Sequence, residues 1–229
     1  MKTFLITNDD GMDAPGLAAL EAALRPIARV VILAPDSPQS GISHRVSLWE
    51  TVQVVEEGKN RYRISGTPAD CVRIGLSHIV PEADCVFSGI NIGANLGYDI
   101  YLSGTVAAAR EAAFQGKPAM ALSQYIAANS QPNWEAARIL LNNLVPEFLN
   151  LPIKKGEYLN INLPQTSPLQ TKIPEWHFCH PEKTPYDTCI RIHSQQYAYT
   201  ADIHARPRPA GSDVDVCFSG DVSVSRLFI

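Results

Sequence analysis

Two adjacent carboxylates, Asp9 and Asp10, stand behind the apolar run Thr3-Phe4-Leu5-Ile6-Thr7, and they are the sharpest chemical signal in the chain. Neighbouring carboxylates repel one another unless a cation lies beside them, and their hard oxygens suit Mg²⁺ or Mn²⁺. The same residues also fit a turn, since Asp10-Gly11 is a common turn dipeptide. Further oxygen donors come from Ser40-Gly41-Ile42-Ser43 and from Ser88-Gly89-Ile90-Asn91 with Asn95, each of them ordinary loop chemistry when taken alone. Ser103-Gly104-Thr105 directly precedes an alanine-rich stretch, which puts hydroxyls and unpaired N–H groups at a helix start, where anions bind. A plain Ser or Thr N-cap would use the same residue types.

These groups can act together only if the fold gathers them. Thr3 to Thr7 reads as a strand, and Pro15-Gly16 opens a helical stretch over Leu17 to Leu24. Val30-Val31-Ile32-Leu33, Cys85-Val86-Phe87 and Ala119-Met120-Ala121-Leu122 are short continuous apolar runs of the kind buried on both faces of a parallel sheet, and Leu159 to Leu163 adds another. Between them, Thr67-Pro68 starts a helix with apolar Val72, Leu76 and Ile79, Thr105 to Phe114 is helix-prone, and Trp134 to Leu149 has helical apolar spacing. Val52 to Ile64, turning at Glu57-Gly58-Lys59-Asn60, predicts an inserted β-hairpin. The alternation predicts an α/β, doubly wound and mostly parallel sheet, whose ligand crevice lies outside the strand carboxyl ends. That face would collect the loops at 8–11, 37–43 and 88–105.

Beyond Pro164 the prolines thicken (Pro168, Pro174, Pro181, Pro185) and the βα rhythm fades, so residues 1–164 are expected to form the core and residues 165–229 an irregular or β-rich extension. The last strand expected is Val222-Ser223-Val224.

Composition narrows the function. The chain has 229 residues, 45% hydrophobic and 18% charged, with a net charge of −4, enough to bury a core without staples and wrong for a surface that coats nucleic acid. Five scattered cysteines without a C-x-x-C pair signal neither a disulfide framework nor zinc, and a reducing compartment fits best. No apolar stretch reaches membrane-spanning length and none resembles a signal-peptide core, so the expectation is a cytoplasmic protein.

Competing motifs fail. There is no G-x-G-x-x-G behind a strand, Gly116-Lys117 runs into Pro118 rather than completing a P-loop, and no G-x-S-x-G elbow is present. His177 and His180 fall in a proline-rich segment and read as surface or lining residues, and Tyr62, Tyr98, Tyr101 and Tyr125 read as buried or surface tyrosines rather than base-stacking platforms.

In order and spacing, a set of blocks resembles the SurE (survival protein E) family of metal-dependent nucleotidases. They are Ile6-Thr7-Asn8-Asp9-Asp10-Gly11 with Ala14-Pro15-Gly16, Ala34-Pro35 with Ser40-Gly41-Ile42-Ser43, Gly66 to Val72, Ser88-Gly89-Ile90-Asn91 with Gly93 and Asn95, and Ser103-Gly104-Thr105-Val106. A weaker block runs from Ser212-Asp213 through Gly220 to Val224. The resemblance implies a Rossmann-like core and one divalent cation per subunit, Mg²⁺ or Mn²⁺, held by Asp9, Asp10, Ser40 and Asn91. It implies phosphate contacts at Ser103, Gly104 and Thr105, a catalytic group of Asp9, Asp10, Asn95 and Ser103, and a homodimer or homotetramer. The substrate implied is a nucleoside 5′- or 3′-monophosphate, and in some members short polyphosphate, with neither a nucleic-acid duplex nor a membrane as partner. One departure is visible: where the family usually has Tyr before Ser-Gly-Thr, this chain has Leu102, with Tyr101 one residue earlier.

Two other classes share features with this set. Phospho-acceptor signalling domains carry an acidic pair behind their first strand, but they need a lone Asp ending the third and a Lys after the last, where this chain has Ser88 and Ser123-Gln124. A non-catalytic nucleotide-binding protein would bind the same ligands without releasing phosphate.

Overall fold

The computed structural model describes residues 1–165, 173–184, 189–199 and 202–229, with the backbone alone at 189–191 and 199. Strand β1 (Lys2–Thr7) is the axis of the molecule, parallel to β2 (Ala28–Pro35) on one side and to β5 (Cys85–Ile92) on the other. The sheet continues from β2 to β4 (Arg61–Ile64), and from β5 through β6 (Ala119–Gln124) to β7 (Glu157–Leu163), always in parallel. In chain order these parallel strands lie third, second, first, fourth, fifth, sixth across the sheet, the order of a doubly wound dinucleotide-type fold.

Alternation along the strands divides the core in two. Phe4, Ile6, Ile32, Phe87 and Met120 pack with Leu17, Leu20 and Leu24 of α1 (Pro15–Leu24) and with Leu140, Leu141, Leu144 and Phe148 of α5 (Trp134–Leu149). Leu5, Val31, Leu33, Val86 and Ala121 face the other way, toward α2 (Pro68–Ile74) and α4 (Gly104–Phe114). Ala108, Ala109, Ala112 and Ala113 are buried on α4, so their small side chains let that helix lie close to the sheet. Helix α2 begins as the sequence predicts: Thr67 and Asp70 form a capping box around Pro68. The stretch expected to continue it to Ile79 does so as a π-helical turn over Gly75–Ile79, which keeps Leu76 in the core.

The expected hairpin is β3 (Val54–Gly58) antiparallel to β4, an edge strand exposed along its whole length. Beyond residue 164 the chain returns to the same sheet. Strand β11 (Val222–Phe228) runs antiparallel to β7 over six residue pairs, and the short β8 (Trp176–Phe178) lies parallel outside it. Strands β9 (Cys189–His193) and β10 (Gln196–Tyr199) form a separate two-stranded ribbon. Of the features named in this segment, Pro168 and Pro185 lie outside the described residues. No helix among the described residues is long and apolar enough to cross a membrane.

Candidate active site

Strand order reverses between β1 and β5, and the loops behind these two strands carry most of the residues singled out by the sequence. The pairing of β5 with β6 shifts register between Ser88 and Asn91. At Gly89 the strands approach so closely that a Cβ would lie 2.2 Å from the Leu122 carbonyl oxygen. The shift turns the end of β5 toward β1, where the Ile92 N–H donates to Asp10 Oδ2 at 3.2 Å.

Asp9 is buried and sits against the start of α4. Its Oδ1 accepts from Thr105 Oγ1, and the backbone amides of Thr105 and Gly104 add to the hold. The approach needs glycine: a Cβ on Gly104 would come 2.8 Å from Asp9 Cβ and 2.9 Å from Ile42 Cγ2. Ser103 caps the helix, its side chain accepting from the Val106 N–H at 3.1 Å. The helix start therefore already receives an anion, the carboxylate of Asp9. Burial pushes the Asp9 pKa up against these hydrogen bonds. Burial, and then the charge of Asp9, push Asp10 up to about 6, opposed by the Ile92 amide.

The loop behind β2 reaches the same place. The Gln39 N–H donates to the Asp9 carbonyl at 2.7 Å, and Ser43 is tied to the end of α3 (Asp99–Leu102), its N–H to Leu102 O at 2.9 Å and its Oγ to Tyr101 O at 2.7 Å. Ser40 lies between these ties, exposed, with no side-chain hydrogen bond among the described residues. Asn91 donates from Nδ2 to Gly93 O at 2.6 Å, which leaves its Oδ1 as an available oxygen donor. Asn95 is buried, with Nδ2 donating to Ser123 Oγ at 2.8 Å.

The donors at the crevice fit a hard divalent cation. Asp9, Asp10, Ser40 and Asn91 offer oxygen donors, and among the described residues no positive side chain acts on either carboxylate, so only hydrogen bonds offset their repulsion. No cluster of three His, Cys, Asp or Glu side chains suited to a metal occurs among the described residues, so a cation here would depend on the neutral oxygens beside the two aspartates.

The roles of several supporting residues went unread in the sequence. Asn160 and Asn162, two apart on β7, both reach the backbone of Asn95. Their Nδ2 groups donate to its carbonyl at 2.8 and 3.2 Å, and Asn162 Oδ1 accepts from its N–H at 2.7 Å. Asp213, at the start of α6 (Asp213–Phe218), accepts from the Gly97 N–H at 2.7 Å and the Glu182 N–H at 2.9 Å. Arg206 donates to Leu96 O at 2.7 Å and to Asp99 Oδ2 at 2.5 Å. The signal was present in Asn160-Ile161-Asn162: paired polar residues on a strand buried along its whole length need partners. Of the tyrosines, Tyr125 stacks on Phe218 with ring centroids 4.2 Å apart, while Tyr98 and Tyr101 are exposed beside a cavity of about 550 Å³ that Arg110, Lys183 and Arg226 also line.

Fold and site together define a doubly wound α/β protein with paired carboxylates at its switch point. The family model for survival protein SurE matches residues 4–188, and the chain belongs to the SurE family. A protein of Synechocystis sp., provisionally named a 5′-nucleotidase, is 42% identical over 224 residues, covering 98% of each chain. The 5′-nucleotidase SurE of Citrifermentans bemidjiense is 35% identical over 231 residues, covering 98% of this chain and 92% of that one. Among solved structures, the SurE protein of Aquifex aeolicus superposes with a TM-score of 0.86 at 34% identity, over 99% of this chain and 93% of that one.

Proposed function

We propose that the chain is a divalent-metal-dependent phosphatase that hydrolyses nucleoside 5′-monophosphates to nucleoside and phosphate, with 3′-monophosphates and short polyphosphate as secondary substrates. The observation that carries this is the Asp9-Asp10 pair at the end of the central strand, with Asp9 pressed against the start of α4 and no cationic side chain among the described residues to neutralise the pair. The family supports it, since the relatives named above carry 5′-nucleotidase names. Asp9, Asp10, Ser40 and Asn91 would hold one Mg²⁺ or Mn²⁺ per subunit, and the cation would supply Lewis-acid polarisation of the phosphoryl group and a more acidic water. Thr105 orients Asp9 through its hydroxyl, and Ser103 fixes the helix start at which Gly104 and Thr105 present their N–H groups. Those donors are the ones we assign to the phosphate, so Asp9 and substrate share a single helix start. Asn95 brings an amide to the crevice from the β5 side.

Phosphate release from a panel of nucleoside monophosphates, with Mn²⁺ and with EDTA, tests the proposal. Nucleotide binding without release would make the chain a binding protein instead. Trapping a phosphoenzyme would assign direct attack by an aspartate rather than by water.

We further propose a cytoplasmic homodimer or homotetramer. The buried free thiols of Cys71, Cys85, Cys179 and Cys217 fit a reducing compartment. The β9–β10 ribbon stands apart from the main sheet with Ile192 and Tyr197 exposed, and an isolated two-stranded ribbon is marginal until it packs on something. Light scattering at micromolar concentration tests this, and a monomer would exclude it.

A further inference from the structure

The loop bearing Ser40 is exposed and bends twice through left-handed backbone, at Gly41 (φ +71°) and at Ser43 (φ +54°). A serine holds that conformation where its surroundings fix it. Beyond the Ser43 ties, the fixing contact is the ring of His44. Its Nδ1 accepts from Arg110 Nε at 2.8 Å. A guanidinium only donates, so Nδ1 carries the lone pair and the ring proton sits on Nε2, which donates to Glu111 Oε2 at 2.9 Å. Glu111 is buried and uses its other oxygen to accept from Arg73 Nε at 2.9 Å and Gln115 Nε2 at 3.0 Å. The network joins α2, α4 and the Ser40 loop.

We infer that His44, locked as a single tautomer between Arg110 and Glu111, is a positioning residue that fixes the Ser40 loop to α4. Helix α4 thereby becomes the common frame of the metal side of the crevice. Its first residues hold the Asp9 carboxylate, and Arg110 and Glu111, farther along the same helix, hold the loop that carries Ser40. The spacing between those two oxygen donors is set through one helix instead of through a free loop. This inference rests on the metal reading proposed above and adds to it a residue that touches neither cation nor substrate.

The test is Mn²⁺ binding to the full-length protein, followed by the electron paramagnetic resonance of free Mn²⁺, with the melting temperature measured on each variant. His44→Leu keeps bulk and removes both hydrogen bonds, and it should weaken Mn²⁺ binding by about 10–100-fold, the range seen when a ligand's supporting partner is lost. His44→Gln can accept from Arg110 and donate to Glu111, so it should bind close to wild type, whereas a purely space-filling role would favour the leucine. Arg110→Met, on the far side of the ring, should weaken binding severalfold and serves if His44→Leu does not fold. Wild-type affinity in both His44→Leu and Arg110→Met, or a glutamine no better than the leucine, would overturn the inference. Asp10→Asn separates the two levels: if wild type binds Mn²⁺, Asp10→Asn does not and the His44 and Arg110 variants are unchanged, the positioning role alone fails. If wild type itself does not bind, the metal reading fails and takes the inference with it.

Discussion

Two loops enter the crevice from opposite sides of β1, and different physics holds each. The loop behind β5 is gripped from beneath by buried side chains: Asn160 and Asn162 on the Asn95 peptide, Asp213 on the Gly97 N–H, and Arg206 on the Leu96 carbonyl. The loop behind β2 lies on the surface, tied by backbone bonds at Gln39 and Ser43 and by the ring of His44. A buried donor or acceptor left unpaired costs about 1–3 kcal/mol, whereas water replaces a lost bond at the surface cheaply. The Asn95 side should therefore answer to stability and the Ser40 side to function.

The harshest way to break the comparison is to end the chain after Pro164. That cut removes β11 from beside β7, the strand that carries Asn160 and Asn162, and it also removes Arg206 and Asp213. We expect an insoluble product without a cooperative melt, seen in expression and calorimetry, and the loss of β11 explains this within one subunit. Next, Asp9→Asn and Asp10→Asn should each lower phosphate release at least about 10²–10³-fold while the melting temperature stays near that of wild type. EDTA should do the same reversibly, and full turnover by a metal-stripped sample would sink the metal reading.

A finer contrast sets Asn162→Leu against Ser40→Ala. The leucine leaves the Asn95 N–H unpaired and takes the weaker of two donors from its C=O, which Asn160 still holds, and should cost about 1–3 kcal/mol in urea denaturation. Ser40→Ala should leave stability within about 0.5 kcal/mol and raise the Mn²⁺ concentration needed for activity. Equal stability losses would erase the distinction between the loops. Ser103→Ala should cost about 1 kcal/mol as a lost cap, and a rate loss well beyond that figure would show that the helix start also serves catalysis.

The smallest effect expected is in pH. Burial pushes the Glu111 carboxyl up, but hydrogen bonds from His44, Gln115 and Arg73 outweigh it, so the folded group ionises below its ordinary 4.5. A carboxyl with a lower folded pKa stabilises the fold fully above the unfolded value, and that contribution fades as pH falls from about 4.5 through the lower one. Glu111→Gln should flatten this acid limb in melts taken across pH, and an unchanged limb would remove Glu111 as its source.

What the sequence disclosed and what it hid follow from the range of the interactions. Helix α5 appears at the residues its spacing predicts, 134–149, and Thr67-Pro68 caps α2, because periodicity and capping are local. The meeting of Asp9 with Thr105, and of Asp10 with the end of β5, was also legible, since parallel strands put their carboxyl ends on one side. Hidden were β11 at the side of β7, which joins residues far apart in the chain, and Asp9 as the anion at the start of α4. A helix start announces that an anion fits there, but tertiary packing decides which one. The partners of Asn160 and Asn162 were hidden for the same reason, although their burial in a strand demanded some.

The grip on Asn95 has one further consequence. Asn160 and Asn162 hold its peptide group, and among the described residues its own side chain makes a single hydrogen bond, to Ser123. Placement and identity are thus separable at this position: the main chain is addressed by its neighbours whatever side chain it bears. Heredity can rewrite the chemistry at residue 95 without redrawing the course of the loop, and a substitution series there would read as a change of reagent in a fixed vessel.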